Sequence, residues 1–249
     1  MVGLIGRKFG MTQIFDSKGS IVPVTVIETG PCLITRVRTK EKDGYQAVQL
    51  GFGDIKENRV TKPRLGQFKK QNLPSKKFVK EIRTDKTEGL NAGDQVLVDT
   101  FQPGDYVDIV GVSIGKGFQG VVKRHHFVGG KRSHGSMFGR VPGSIGASSF
   151  PSRVFKGMRA AGHMGNSPVT LQNVEVVDVN PDKNLLIVRG QVPGVEGNLL
   201  VIKNSRKFGK KDKTWKLASA QKEKQATKSQ VEEKQDSGKE EVSTEKKAE

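Results

Sequence analysis

A central part of this chain, residues 109–174, contains no aspartate and no glutamate. The same stretch holds nine lysines and arginines, all four histidines of the chain and many glycines. At the average acid content of this sequence, a stretch of this length would hold about seven carboxylates. A segment of uniform positive charge repels itself and cannot form internal ion pairs, so we expect an external polyanion to stabilise it.

The charge of the whole chain points to the same class of partner. Lysine and arginine number 43 against 26 acids, a formal net charge of +17, and nucleic acid is the ligand expected for such a balance. A membrane is a weaker alternative, because no apolar run is long enough to span a bilayer and glycines interrupt the basic region. Charge at Arg7 and Lys8 follows the start too closely for a secretory signal, and we expect a cytoplasmic protein.

The single cysteine, Cys32, fits a reducing compartment. It has no second thiol for a disulfide or a thiolate metal site, so we interpret it as a small buried apolar residue.

The end of the chain differs in composition from the rest. Residues 216–249 contain eight basic and eight acidic residues, so the whole net charge of +17 belongs to residues 1–215. Such a polyampholyte cannot bury enough apolar surface to offset its ordering entropy, which predicts a disordered, low-complexity tail over 206–249. A helical tail is the alternative, although its apolar positions are too sparse for a coiled-coil seam.

The remaining sequence predicts a mainly β fold, because short apolar runs alternate with Gly, Pro and Asp turns, as in a barrel or a sandwich. One helix is predicted with Thr61 as its cap, Pro63 in its first turn, Leu65 and Phe68 on one face, and its end before Pro74. The predicted strands are 21–28, 33–39, 47–52, 95–100, 106–114, 169–179, 184–190 and 199–203.

These elements predict a core domain made of residues 1–112 and 167–205, with a small basic, partly helical subdomain near 54–90. Residues 113–166 then form an extended insertion between two strands, so its ends should lie close together. Its twelve glycines allow the backbone to approach sugar-phosphate closely. The phenylalanines of the insertion either stack on unpaired bases or form small anchoring clusters, and we favour anchoring. They are Phe118, Phe127, Phe138, Phe150 and Phe155.

Three enzymatic interpretations are not supported by the sequence. Residues 115–120 fit GxGxxG, but no convincing crossover helix follows and the next acid that could hold a ribose is Glu175. Residues 130–133 resemble a P-loop only faintly, because His125 replaces the required upstream glycine. A catalytic or metal site built on the histidines would lack nearby carboxylates to orient them. The histidines are His125, His126, His134 and His163.

Several separate strings, in order and at suitable spacings over about residues 1–204, closely resemble the bacterial form of the universal large-subunit ribosomal protein L-three family. The strings are LIGRKFGMTQIF at 4–15, VPVTVIE at 22–28, RVPGSIG at 140–146, RVFKG at 153–157 and AGHMGN at 161–166. The resemblance implies a translation-factor-like β-barrel on large-subunit ribosomal RNA, an early role in subunit assembly, and an extension whose tip approaches the peptidyl transferase centre.

The chain departs from the family pattern at two places. Ala147 stands where many members carry a glutamine that is methylated, so that modification cannot occur here. Met158, Arg159 and Ala160 stand where relatives often have two basic residues and a methionine, which removes one potential phosphate contact.

We therefore predict a non-catalytic, ribosome-associated protein that binds large-subunit ribosomal RNA and neighbouring ribosomal proteins, and that needs no cofactor, metal, membrane or small-molecule substrate. The alternatives are an RNA-processing or modification enzyme that uses the histidines, and a general nucleic-acid-coating protein. The predicted RNA-binding residues are Arg7, Lys8, Lys116, Lys123, Arg124, Lys131, Arg132, His134, Arg140, Gly143, Ser144, Ile145, Gly146, Arg153, Lys156, Arg159 and His163.

Overall fold

The computed structural model describes residues 2–16, 18–84, 87, 89–208 and 215–216. The predicted disordered tail, 206–249, therefore lies almost entirely outside the described residues. The strands are β1 Gly3–Phe15, β2 Ile21–Glu28, β3 Cys32–Arg38, β4 Ala47–Asp54, β5 Lys76–Arg83, β6 Gln95–Val96, β7 Tyr106–Val112, β8 Gly117–Gln119, β9 Gly162–Met164, β10 Pro168–Asn180, β11 Leu185–Arg189 and β12 Leu199–Asn204. The α-helices are α1 Lys40–Asp43, α2 Lys62–Lys69 and α3 Val121–His125, and 3-10 turns occur at Glu57–Arg59 and Val98–Thr100.

Six strands close into a barrel in the order β1-β12-β7-β10-β11-β2, with every neighbouring pair antiparallel. Alternation selects the inner face, since Leu200 and Ile202 of β12 are fully buried while Leu199, Val201 and Lys203 are only partly covered. Full burial of such a side chain contributes about 1.5–3 kcal/mol to folding. The predicted mainly β fold with a barrel is confirmed.

A second, four-stranded sheet in the order β5-β4-β3-β6 packs against the barrel. Ile82 of this sheet approaches β1 at Gly3, where an added Cβ would lie 2.9 Å from the Ile82 Cδ1 atom and 2.5 Å from the Ile202 carbonyl oxygen. Only glycine fits at that position, and the two sheets bury one continuous apolar core.

Cys32 lies in this core, and its thiol donates to the carbonyl oxygen of Ile5 at 3.3 Å. Burial raises the pKa of the Cys32 thiol to about 12, because the thiolate would lose its hydration. The interpretation of Cys32 as a small buried residue is confirmed.

The predicted strands are present, with ends shifted by a few residues, and 95–100 forms a strand of two residues followed by a 3-10 turn. The sequence did not predict β1, which contains three glycines, or β5, which carries Lys76, Lys77 and Lys80. The helix near Thr61 is present as α2, but the Thr61 side chain makes no capping hydrogen bond and the helix ends at Lys69. The boundaries 54–90 for a subdomain remain a prediction, while the second sheet spans residues 32–96.

Candidate nucleic-acid interface

The segment between β7 and β10, residues 113–166, is called the arm below, and its two ends are joined by hydrogen bonds. The Ser113 amide donates to the Ser167 carbonyl at 2.9 Å, and the Asn166 amide donates to the Ser113 carbonyl at 3.1 Å. Val112 and Pro168 are partners in the barrel. The prediction that the ends of the insertion lie close together is confirmed.

The first part of the arm is a short antiparallel ribbon of β8 and β9, in which Phe118 is paired with His163. At its base Gly165 has φ +76, and a Cβ there would collide with the carbonyl oxygen of Ile114. This backbone contact between the two limbs requires glycine. The base of the arm is therefore fixed to the barrel by the backbone itself.

Beyond the ribbon, α3 brings two side chains to the returning limb. The Arg124 Nη1 atom donates to the Ala160 carbonyl at 2.7 Å, and the His125 Nε2 atom lies 3.0 Å from the same oxygen. The sequence did not predict this helix. The helix has only five residues, and β8 and β9 are antiparallel, so no dinucleotide-binding crossover is formed.

The outer arm is almost completely exposed. Every residue from 140 to 150 and from 152 to 161 is exposed, and the few internal hydrogen bonds include that of the Gly130 amide with the Phe138 carbonyl, at 2.9 Å. In the tip loop, the Ser144 hydroxyl donates to the Gly146 carbonyl at 2.9 Å. The Ile145 side chain between them is 55% exposed. The predicted tip residues thus form one short loop, with little protein around it.

The cations of the arm form no ion pair within the described residues, because the carboxylates nearest in sequence are bound on the barrel. Asp108, just before the acid-free stretch, accepts the Asn173 amide at 2.9 Å. Glu175, just after it, pairs with Arg189 at 3.1 Å. Exposed cations are found along the whole arm, whereas Arg124 is half-buried. The exposed ones are Lys116, Lys123, Lys131, Arg132, Arg140, Arg153, Lys156 and Arg159.

The histidines do not gather into a site. His125 contacts a carbonyl, His126 and His134 have left-handed backbones with φ of 61 and 65, and His163 lies on the ribbon. In the described part of the chain, no group of three or more His, Cys, Asp or Glu side chains could hold a metal ion.

Four of the five arm phenylalanines are exposed, by 61% to 89% of their surface, so the expectation of anchoring clusters is wrong for them. Phe127 is half-buried beside the His125 ring, with the centroids 6.4 Å apart. Phe155 lies under the Arg153 guanidinium at 5.7 Å. The other three exposed rings are Phe118, Phe138 and Phe150. Clustering fails because the arm has no second layer against which these rings could pack.

The two cations predicted near the N-terminus have different surroundings. Arg7 is half-exposed and bonds to Glu28 at 2.9 Å, so it remains accessible. Lys8 is buried, and its ammonium donates to the carbonyl oxygens of Val192 at 3.0 Å and Gly194 at 3.1 Å. The position of Lys8 argues against the RNA contact expected for it and favours a structural role, because Lys8 is buried and two of its three ammonium donors already bind the barrel.

The sequence predicted a basic region near 54–90, but it did not predict the basic cavity that this region forms with the second sheet. Four cations, Arg36, Arg38, Arg64 and Lys70, line this cavity. They come from two separate stretches, Arg36 and Arg38 on β3 and Arg64 and Lys70 in and after α2, and acids lie between these stretches, so the sequence does not show that they meet. Among the described residues, no helix is long and apolar enough to cross a membrane.

Comparison with known proteins places this chain beside one family. The sequence model of the family described as Ribosomal protein L3 matches residues 91–185. A relative from Solibacter usitatus, called "Large ribosomal subunit protein uL3", is 53% identical over 207 residues, which is 82% of this chain and 99% of the relative. Proteins of the same name from Brachyspira pilosicoli and Syntrophotalea carbinolica are 49% and 52% identical, over 85% and 82% of this chain and 97% and 98% of their own lengths.

Proposed function

Since this chain belongs to the ribosomal protein L3 family, it has a structural role in the ribosome, and we propose that it performs this role by binding large-subunit ribosomal RNA through the arm. The barrel then serves as the base from which the arm enters folded RNA. The protein is a component of cytoplasmic ribosomes, where it lies beside neighbouring large-subunit proteins and catalyses no reaction.

The observation that carries this proposal is the contrast between accessible cations and absent carboxylates on the arm. Eight of its basic side chains are exposed, and none is neutralised by a described acid. Cations of this kind displace the counterions that RNA phosphates otherwise condense, and the release of these ions drives binding. A solvated arm without a partner would gain nothing from the exclusion of every acid.

The exposed aromatic rings supply a second contribution. Phe118, Phe138 and Phe150 present ring faces that can stack on unpaired bases, an interaction that tolerates any base sequence. Because Phe155 is already covered on one side by Arg153, it offers a combined stacking and phosphate-binding surface. The arm therefore suits irregular RNA more than a regular duplex.

Two finer parts of the proposal rest on the family resemblance. The tip loop at Gly143-Ser144-Ile145-Gly146 extends toward the peptidyl transferase centre, and the protein joins the subunit early in assembly. Every residue of this loop is exposed, which supports a tip that RNA can surround.

The test is the double variant Arg153→Ala with Lys156→Ala, compared with Lys18→Ala and Lys183→Ala on the barrel turns as a control of equal charge change. The arm variant should bind a large-subunit RNA fragment about 10- to 100-fold more weakly, through the loss of two charge-assisted contacts. It should also lower the dependence of log affinity on log salt by about 1.5. Unchanged affinity and salt dependence would refute the assignment of these cations to phosphates.

The same titrations separate the two alternatives. An RNA-processing enzyme would cleave or modify the RNA in a reaction that His134→Ala abolishes, whereas the proposed function leaves the RNA intact. A general coating protein would bind unrelated RNA equally at moderate salt, whereas selective competition by large-subunit RNA supports the proposal.

A further inference from the structure

A concave basic surface lies outside the arm, between α2 and the strands β3, β4 and β5. It is a cavity of about 410 Å³, within the size range of small-ligand sites. Its wall is formed by Thr35, Arg36, Arg38, Gln49, Arg64, Gln67, Phe68, Lys70, Gln71 and Val79. The lining thus contains four cations, three amides, one hydroxyl and two apolar side chains, and no carboxylate.

Some of the cations are held in place by acids behind the wall. Arg38 bonds to Asp43 at 2.7 Å and to Glu81 at 2.8 Å, and Arg36 shares Asp43 at 3.2 Å. Glu81 also accepts the Gln49 amide at 3.3 Å. These contacts fix the directions of the lining side chains before any ligand arrives, which lowers the entropic cost of binding.

Other polar groups of the wall have no partner in the described part of the chain. The Lys70 ammonium and the Gln67 and Gln71 amides form no hydrogen bond there, and Lys70 and Gln67 are exposed. Arg64 uses only its Nη2 atom, which donates to the Lys77 carbonyl at 2.9 Å and the Lys76 carbonyl at 3.3 Å. Donors for an anion are therefore available at the α2 side of the cavity.

We propose that this cavity is a second RNA-binding site, which takes one backbone phosphate together with its adjoining unpaired nucleotide. Lys70 and Arg64 bind the phosphate, while the amides of Gln67 and Gln71 offer both donors and acceptors to the ribose or the base. The inference rests on the proposed function, because it takes the same RNA as the ligand.

RNA suits this cavity better than an acidic peptide does. The wall mixes cations with groups that both donate and accept hydrogen bonds, and the partly exposed Val79 supplies apolar surface against which a base can lie, above the buried Phe68 ring. A carboxylate side chain uses only donors, whereas the ribose hydroxyl and the base edges also donate to the amide oxygens. A second contact far from the arm in sequence would also fix the orientation of the barrel on RNA.

The test combines RNA titration with the reactivity of one lysine. Lys70 in the full chain should be protected from acylation when a large-subunit RNA fragment is bound, and Lys18 should not be, with both measured by mass spectrometry. The variant Arg64→Gln with Lys70→Gln should bind the RNA about 10-fold more weakly, whereas Lys18→Gln with Lys183→Gln should not change the affinity. Because Arg64 also bonds to carbonyls, Lys70→Gln with Gln71→Ala serves as a second variant that breaks no described hydrogen bond.

Each outcome has one meaning. Weaker binding by both cavity variants and protection of Lys70 support the second site. Normal binding by these variants, while the arm variant is weakened, overturns the second site and leaves the proposed function intact. Failure of the unaltered protein to bind the RNA overturns the proposed function itself. Equal protection of Lys70 by inorganic phosphate or by an acidic peptide overturns the assignment to RNA.

Discussion

The second sheet and the arm use the same basic side chains in opposite ways. In the sheet, Arg38 lies between Asp43 and Glu81, and Lys76 bonds to Asp54 at 2.6 Å. In the arm, no described cation has a carboxylate partner. The Arg153 guanidinium, for example, lies over the Phe155 ring. Basic residues therefore support the fold where acids accompany them, and they remain available to an external anion where acids are absent.

The two regions also differ in how they are stabilised. The barrel and the second sheet share one apolar core, whereas the outer arm is exposed along both limbs and is held mainly at its base. The same substitution should thus lower the free energy of unfolding strongly in the barrel and only slightly in the outer arm. Three matched pairs of substitutions test this contrast.

The largest effect is expected from truncating the same residue type in both regions. Ile202 is fully buried in the barrel, while Ile145 at the tip is 55% exposed. Ile202→Ala should lower the free energy of unfolding by about 3 kcal/mol, because it leaves a cavity. Ile145→Ala should change it by less than about 0.5 kcal/mol. Denaturant titration of the full chain measures both values, and a large loss from Ile145→Ala would mean that the arm packs on itself.

The sequence predicted this contrast only in part. Short apolar runs bounded by Gly, Pro and Asp turns predicted most barrel strands, because a buried strand needs apolar side chains and the turn that ends it favours those residues. The absence of acids marked the arm, since charge composition is visible without knowledge of contacts. The pairing of Arg38 with Glu81 joins residues 43 positions apart and could not be read from local pattern.

The burial of Lys8 shows the same limit. An N-terminal lysine beside Arg7 predicts a surface cation, yet it is the carbonyl oxygens of Val192 and Gly194, brought in by a distant loop, that bind its ammonium. The exposed phenylalanines are the converse case, because five aromatic rings in one segment suggest a cluster only when a second layer exists to cover them. Both corrections depend on which parts of the chain meet in space.

A smaller effect is expected at the junction between the two regions. Gly165→Ala should destabilise the arm base by about 2 kcal/mol, because Gly165 has φ +76 and a Cβ would strike the Ile114 carbonyl. Gly157 has φ +82 with nothing near its Cβ position, so Gly157→Ala carries the conformational cost alone, about 1 kcal/mol. Hydrogen exchange of the Asn166 amide, which bonds to Ser113, should quicken about 30-fold in Gly165→Ala and stay unchanged in Gly157→Ala. Equal exchange in the two variants would show that the base is not held by this contact.

The smallest effect concerns the acids that distinguish the second sheet from the arm. Burial raises the pKa of Glu81, but the hydrogen bonds from Arg38, Tyr45 and Gln49 act against it, and the net result is a lowered pKa. A carboxyl whose pKa is lower in the folded chain stabilises the fold above its unfolded pKa, about 4.3, and this contribution is lost as the pH falls through the folded value. Glu81→Gln should therefore cost about 1 kcal/mol of unfolding free energy at pH 7 and progressively less below about pH 4. Glu196→Gln, at an exposed acid without an ion pair among the described residues, is the control and should cost little at either pH. A cost for Glu81→Gln that does not depend on pH would mean that shape, not charge, holds these cations in the sheet, and the contrast with the arm would then not rest on acid pairing.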